Sequence, residues 1–210
     1  MSALASLDHL VYATPDVARS TGDMERLLGV RAVAGGRHPM WGTHNALISV
    51  GERAYLEIVG PDPEAQAPPG VRPFGLDAWG PPRLVTWAAQ GAPLADRVER
   101  ARAAGVELGE PVARSRLRPD GTLLRWMMTD STRPREGGVI PFFIDWGETP
   151  HPATSAPGGG RLVALRARHP EAARVRALLM ALDLEMPVES GDAPELIATI
   201  EAATGTVELR

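Results

Sequence analysis

Residues 6–30 read SLDHLVYATPDVARSTGDMERLLGV, and the order of signals in this stretch sets the fold class. Residues 6–14 alternate in polarity as a strand does, with successive side chains on opposite faces. Pro15-Asp16 then opens a helix. Asp16 is placed to cap it, Val17, Met24, Leu27 and Leu28 form its apolar stripe, and Gly29 closes it. Working outward, a strand is expected from Val30 to about Ala34, then a glycine-rich loop, GGRHPMWG. Strands near 44–50 and 54–60 follow, joined by the hairpin Gly51-Glu52-Arg53. The unit is β-α-β-β-β.

The plan recurs twice. A strand over 83–89 (RLVTWAA) leads to a helix over 93–104 that Gly105 ends. Strands near 111–117, 122–129 and 139–146 come next, with Pro119-Asp120-Gly121 as a hairpin turn. The third pass is a strand over 161–168, a helix over 170–183, and short strands near 186–189, 195–201 and 205–209. Linkers rich in proline and glycine, PDPEAQAPPGVRPFG and GETPHPATSAPGGG, separate the passes. The expected division is 1–62, 82–148 and a shorter 160–210, within one domain overall. Repetition of one element order makes the fold class α+β, built from βαβββ modules.

Composition removes several chemistries. The 210 residues are 44% hydrophobic and 23% charged, enough for a real core. There is no cysteine, which excludes disulfides, thiolate metal sites and a cysteine nucleophile. All 22 basic residues are arginine, so no Schiff base or P-loop lysine exists. The arginines are scattered among 26 acids without a contiguous patch, which argues against nucleic acid as a partner. No apolar run nears the roughly 18 residues of a membrane span. The opening MSALASLDHLVY lacks a signal peptide's basic region, so the cytoplasm is the expected compartment. No HExxH, no GxSxG and no framed glycine loop for phosphate is present.

Taken together, LDHLVYATPD, GGRHPMWGTHNALISVGERAYLEIVGPDP and FFIDWGETPHP resemble the vicinal oxygen chelate superfamily, and within it the glyoxalase-like domain branch. That superfamily includes glyoxalase I, extradiol dioxygenases and bleomycin-type resistance proteins. The resemblance implies that paired modules curl a mixed sheet into an open cleft with the helices outside. It implies less about chemistry, since one fold serves many sites. An odd number of modules leaves a sheet edge to be met within the chain or across a homodimer.

Strand parity nominates the cleft residues. His9 shares a face with Val11 and Ala13; Glu57 shares one with Tyr55 and Val59, while Leu56 and Ile58 suit packing under a helix. His9 and Glu57 match the strand positions that carry metal ligands in metal-dependent relatives, and an imidazole and a carboxylate suit Fe, Mn, Ni or Zn. The second module's first strand offers no ligand. Its last strand offers Asp145, but alignment on the shared glycine sets Ile144 opposite Glu57, and a one-residue slip reverses the facing. Asn45, Leu47 and Ser49 face the cleft by parity, and His44 is a further substrate-contact candidate at the strand's start. Arg125 is a candidate for holding an anionic group, and Trp41, Trp87, Trp126 and Trp146 for walling an apolar pocket. His38, His151 and His169 read as surface residues.

Two functions follow from the resemblance. One is a metal-assisted enzyme of isomerase, lyase or dioxygenase type acting on a small oxygenated molecule. There His9 and Glu57 are ligands, or one of them the base, and Arg125 or Asn45 orients the substrate. The other is a metal-free protein that sequesters an aromatic ligand between tryptophans.

Overall fold

A computed structural model describes residues 2–65, 73–75, 80–91, 93–118 and 121–210. A helical turn α1 (Ala3–Ser6) leads into β1 (Leu7–Ala13), α2 (Val17–Leu28), β2 (Val33–His38), β3 (Thr43–Gly51) and β4 (Ala54–Pro61). The second run is β5 (Arg83–Gln90), α3 (Leu94–Ala103), β6 (Val112–Leu117), β7 (Leu123–Met128) and β8 (Phe142–Asp145). The third is β9 (Arg161–His169), α4 (Ala172–Ala181), β10 (Val188–Ser190), β11 (Glu195–Ala202) and β12 (Gly205–Leu209). The turn at Pro119-Asp120 and part of the linker after β4 lie outside the described residues.

Helix α2 forms for the reasons its sequence announces. The Asp16 carboxylate accepts from the Arg19 N–H at 2.9 Å, and Gly29, at φ 74°, closes the last turn in the left-handed region. Its buried face is Val17, Ser20, Met24 and Leu28; Leu27, expected in the stripe, is exposed because it falls about 100° off that line. The glycine-rich loop is another difference. Gly35 to His38 belong to β2, where a bulge opposite Asn45 lets the glycines pair as strand.

β1 to β8 form one mixed sheet in the order β2-β3-β4-β1-β5-β8-β7-β6, with the two βαβββ units joined by the antiparallel β1–β5 pair. In both units the first strand lies parallel to the last. The third stretch repeats the element order but not the pairing. It makes its own sheet, β10-β9-β11-β12, with β9 inside it. One face of the large sheet packs Leu10, Ile48, Leu56, Ile58 and Trp87 against α2, α3 and the apolar face of the small sheet. The opposite face carries Val11, Tyr55, Val59, Trp126, Phe142 and Ile144 and encloses the cleft. No helix among the described residues is long and apolar enough to cross a membrane.

Candidate functional site

The cleft's polar end starts from an irregularity in β1. Leu7 pairs with Ala89 and His9 with Ala88, so Asp8 is an extra residue that β5 does not match. Strict alternation sets Asp8 and His9 on opposite faces; the bulge brings both side chains to the same group of residues. Asp8 is fully buried and accepts three side-chain N–H groups: His9 Nδ1 at 2.8 Å, Trp146 Nε1 at 3.1 Å and His151 Nε2 at 3.1 Å. The Ala153 N–H donates to His151 Nδ1 at 3.2 Å, which leaves the His151 proton on Nε2, facing Asp8. Burial pushes the Asp8 carboxyl upward, but the hydrogen bonds from His151 and His9 and their charges outweigh it and hold the group below its ordinary value. Asp8 is therefore an ionised anchor, and His9 gives it Nδ1 and turns Nε2 elsewhere.

His9 Nε2 lies 3.7 Å from Glu57 Oε2. The other Glu57 oxygen accepts from the Asn45 amide, and Asn45 Oδ1 accepts from Arg116 Nη1 at 3.0 Å. A polar chain thus runs Asp8–His9–Glu57–Asn45–Arg116, from β1 through β4 and β3 to β6. It joins two modules, because curling of the sheet brings Arg116 of one edge strand onto Asn45. Gly35 makes room for that meeting. A Cβ there would stand 2.3 Å from Asn45 Oδ1 and 3.0 Å from Arg116 Nη1.

Around this end the walls are apolar and largely aromatic. His9 stacks on Tyr55 with ring centroids 4.6 Å apart, and Trp126 tilts against Trp146 at 5.1 Å. Phe74, held in the left-handed region at φ 61°, packs on Phe142. Trp41, Val59, Met128 and Ile144 complete a narrow cleft of about 40 Å³. His38 is in the wall too, and burial pushes its imidazole down to about 4, with Arg116 and His44 acting in the same direction and Glu57 opposing. Burial, then the charges of Asp8 and Glu57, drives the Tyr55 hydroxyl well above its usual range.

The superfamily resemblance implies a divalent metal, which needs three protein donors or more in a catalytic site. The second module's share of the cleft, Arg116, Trp126, Met128, Phe142, Ile144 and Trp146, supplies no His, Asp or Glu. No group of three His, Asp or Glu side chains able to hold a metal occurs among the described residues. His9 Nε2 and Glu57 Oε2 are the two donors left free here, one fewer than such a site needs. The donor set does not fit.

His9, Glu57 and Asn45 are brought together. Four other candidates stand elsewhere. Arg125 is exposed on the outer face with Leu123 and Met127, because Leu124, Trp126 and Met128 take the enclosed side of β7. Asp145 lies opposite Met127 on that outer side and accepts from the Gly147 N–H at 2.9 Å. Trp87 is buried on the helix-covered face and donates to the Val139 carbonyl at 2.9 Å. His44 is half-buried at the end of the apolar row of Ala46, Ile48 and Val50. Three histidines expected at the surface are not there: His38 lines the cleft, His151 holds Asp8, and His169 is buried with Nε2 3.5 Å from Glu136 Oε2. Sequence reasoning missed Asp8 and Arg116. The run VARSRL does signal that Arg114 and Arg116 share a face.

The sequence profile described as a glyoxalase-like domain matches residues 7–182. No curated protein matches the chain. A hypothetical protein from Staphylococcus aureus has the same fold: its TM-score is 0.70 at 14% identity, over 94% of this chain and 92% of that one. A methylmalonyl-CoA epimerase from Mycobacterium tuberculosis is 19% identical over 70% of this chain and 91% of its own, with a TM-score of 0.46. A hypothetical protein from Bacillus halodurans is 19% identical over 69% and 96%, with a TM-score of 0.47.

Proposed function

The chain belongs to the glyoxalase-like domain family of the vicinal oxygen chelate superfamily, and on that premise we propose that its cleft takes a small carbonyl compound with a flat apolar tail and moves a proton on it. One observation carries this reading. His9 and Glu57 meet at the polar end of an aromatic cleft, with His9 oriented from behind by buried Asp8. Glu57 takes a proton from the carbon beside the carbonyl, and the C–H electron pair moves toward the carbonyl oxygen. Protonated His9 donates from Nε2 to that oxygen, and reversal returns the proton to the same or the neighbouring carbon. The tail lies along the wall that Trp126, Trp146 and Phe142 form. No step passes through a metal, since His9 Nε2 and Glu57 Oε2 are two donors where a catalytic site needs three.

The aromatic walls also support a second reading, a protein that only sequesters its ligand. Deuterium wash-in separates the two. Phenylacetone in D2O is followed by NMR at the carbons beside its carbonyl, and tryptophan fluorescence reports binding. The proposal expects saturable binding and catalysed exchange, with exchange lowered at least about 100-fold and binding kept in Glu57→Gln. Saturable binding with exchange no faster than in buffer would establish sequestration instead. No binding would remove both readings.

A further inference from the structure

We propose that Arg116 anchors an anionic group, so that the cleft's ligand is a small carboxylate, most simply a 2-oxo acid with an aryl or branched apolar tail. This rests on reading the cleft as a small-molecule site. Arg116 is 6% exposed, lines the cleft, and makes no ion pair among the described residues. Among the described residues its one side-chain hydrogen bond is from Nη1 to neutral Asn45, and its buried Nε has no partner. A buried guanidinium normally faces a carboxylate, because an unpaired buried charge is among the costliest groups a fold can hold. Glu57 reaches Arg116 only through the Asn45 amide.

Arg114 repeats the pattern two residues earlier. Register pairs Arg114 with Trp126 and Arg116 with Leu124, the inward residues of β7. Arg114 lies 5.7 Å from the Trp41 ring centroid, and its buried Nε is also without a partner among the described residues. β6 thus offers two guanidinium groups with unused N–H donors, one beside the Trp41 wall and one at the polar end. A carboxylate fits a guanidinium fork in a two-point contact that a neutral group cannot copy. A 2-oxo acid on Arg116 would hold its carbonyl toward His9 and Glu57.

The test uses phenylpyruvate and phenylacetone, which differ in one carboxylate replaced by methyl, with tryptophan fluorescence on wild type, Arg116→Gln and Arg116→Lys. Wild type is expected to bind phenylpyruvate at least about tenfold more tightly. Arg116→Gln erases that preference, and Arg116→Lys, which keeps charge without the fork, retains part of it. Circular dichroism checks folding; if Arg116→Gln does not fold, a lowered preference in Arg116→Lys decides. Equal binding by wild type, or a preference that survives in Arg116→Gln, overturns the anchor and leaves the cleft reading standing. A second arm melts each protein in sodium formate against matched chloride. If neither aryl compound binds but formate raises the midpoint of wild type and not of the variant, the anion site holds and the aryl-carbonyl reading fails. No binding and no formate effect overturns both.

Discussion

Two polar sheet faces in this molecule treat charge in opposite ways. On the small sheet, the face turned from the core carries Arg166 and Arg168 of β9, Glu189 of β10, Glu195 of β11 and Glu208 of β12. Arg166 bonds Glu208 at 2.8 Å and Arg210 bonds it at 3.2 Å; Arg168 reaches Glu195 at 3.7 Å. These side chains are partly or mostly exposed, and each arginine has a carboxylate. In the cleft of the large sheet, Asp8 receives three donors, Glu57 and Arg116 share an amide, and Arg116 keeps an unused donor among the described residues. The first face is complete as it stands. The second is not, and that incompleteness is what supports the proposal that it is the site.

The sharpest break of the comparison is to remove one carboxylate from each face. Asp8→Ala strands three buried N–H donors and is expected to cost about 3 kcal/mol in urea unfolding, roughly the penalty for opening a buried charged network. Glu208→Ala removes a carboxylate that Arg166 and Arg210 hold low but that water reaches freely, and its unfolding midpoint should match wild type within repeat error. Equal losses from both substitutions would mean that the two faces are not different in kind.

A smaller expected effect comes from the backbone. Gly35→Ala forces a methyl against Asn45 and Leu47, and overpacking of this kind costs about 1–3 kcal/mol. The comparison says where the damage falls. Tryptophan fluorescence and ligand binding in the cleft should change, while hydrogen exchange across β9 and β11 should not. Slowed or quickened exchange in the small sheet would show that the two faces are coupled through the shared core.

What was legible in the sequence was local. The Asp16 cap and Gly29 stop fix α2 within one segment, and period-two alternation finds β3 and β4 and sends Asn45 and Glu57 inward. What was illegible needed a partner strand. Asp8 faces as it does because β5, far along the chain, lacks a matching residue, and no reading of SLDHLVYAT alone contains that. Alternation in VARSRL groups Arg114 with Arg116 but not on which side; pairing with Trp126 and Leu124 decides. Arg125 went outward for the same reason: the bulky apolar residues of β7 claimed the enclosed face, and charge was left with water. His151 looked like linker because its partner is Asp8, at the other end of the modules.

Acid separates the two faces by window as well as by size. His38 titrates near 6.5 when unfolded and near about 4 in the cleft wall, so between those values the unfolded chain holds a proton that the folded chain refuses. Its contribution is whole above pH 6.5 and is lost as pH falls toward 4. The Glu208 carboxyl of the small sheet lies below its ordinary 4.5, so its contribution is whole above that value and is lost only below it. Asp8 likewise gives up stability only below 3.8. Between pH 6.5 and 4.5, the fall in melting midpoint that His38 causes therefore belongs to the cleft alone. His38→Gln should flatten the midpoint by a few degrees across that interval and leave the slope well below pH 4 unchanged. A wild-type curve already flat from pH 6.5 to 4.5, or one that His38→Gln leaves as steep, would place His38 in water rather than in the wall.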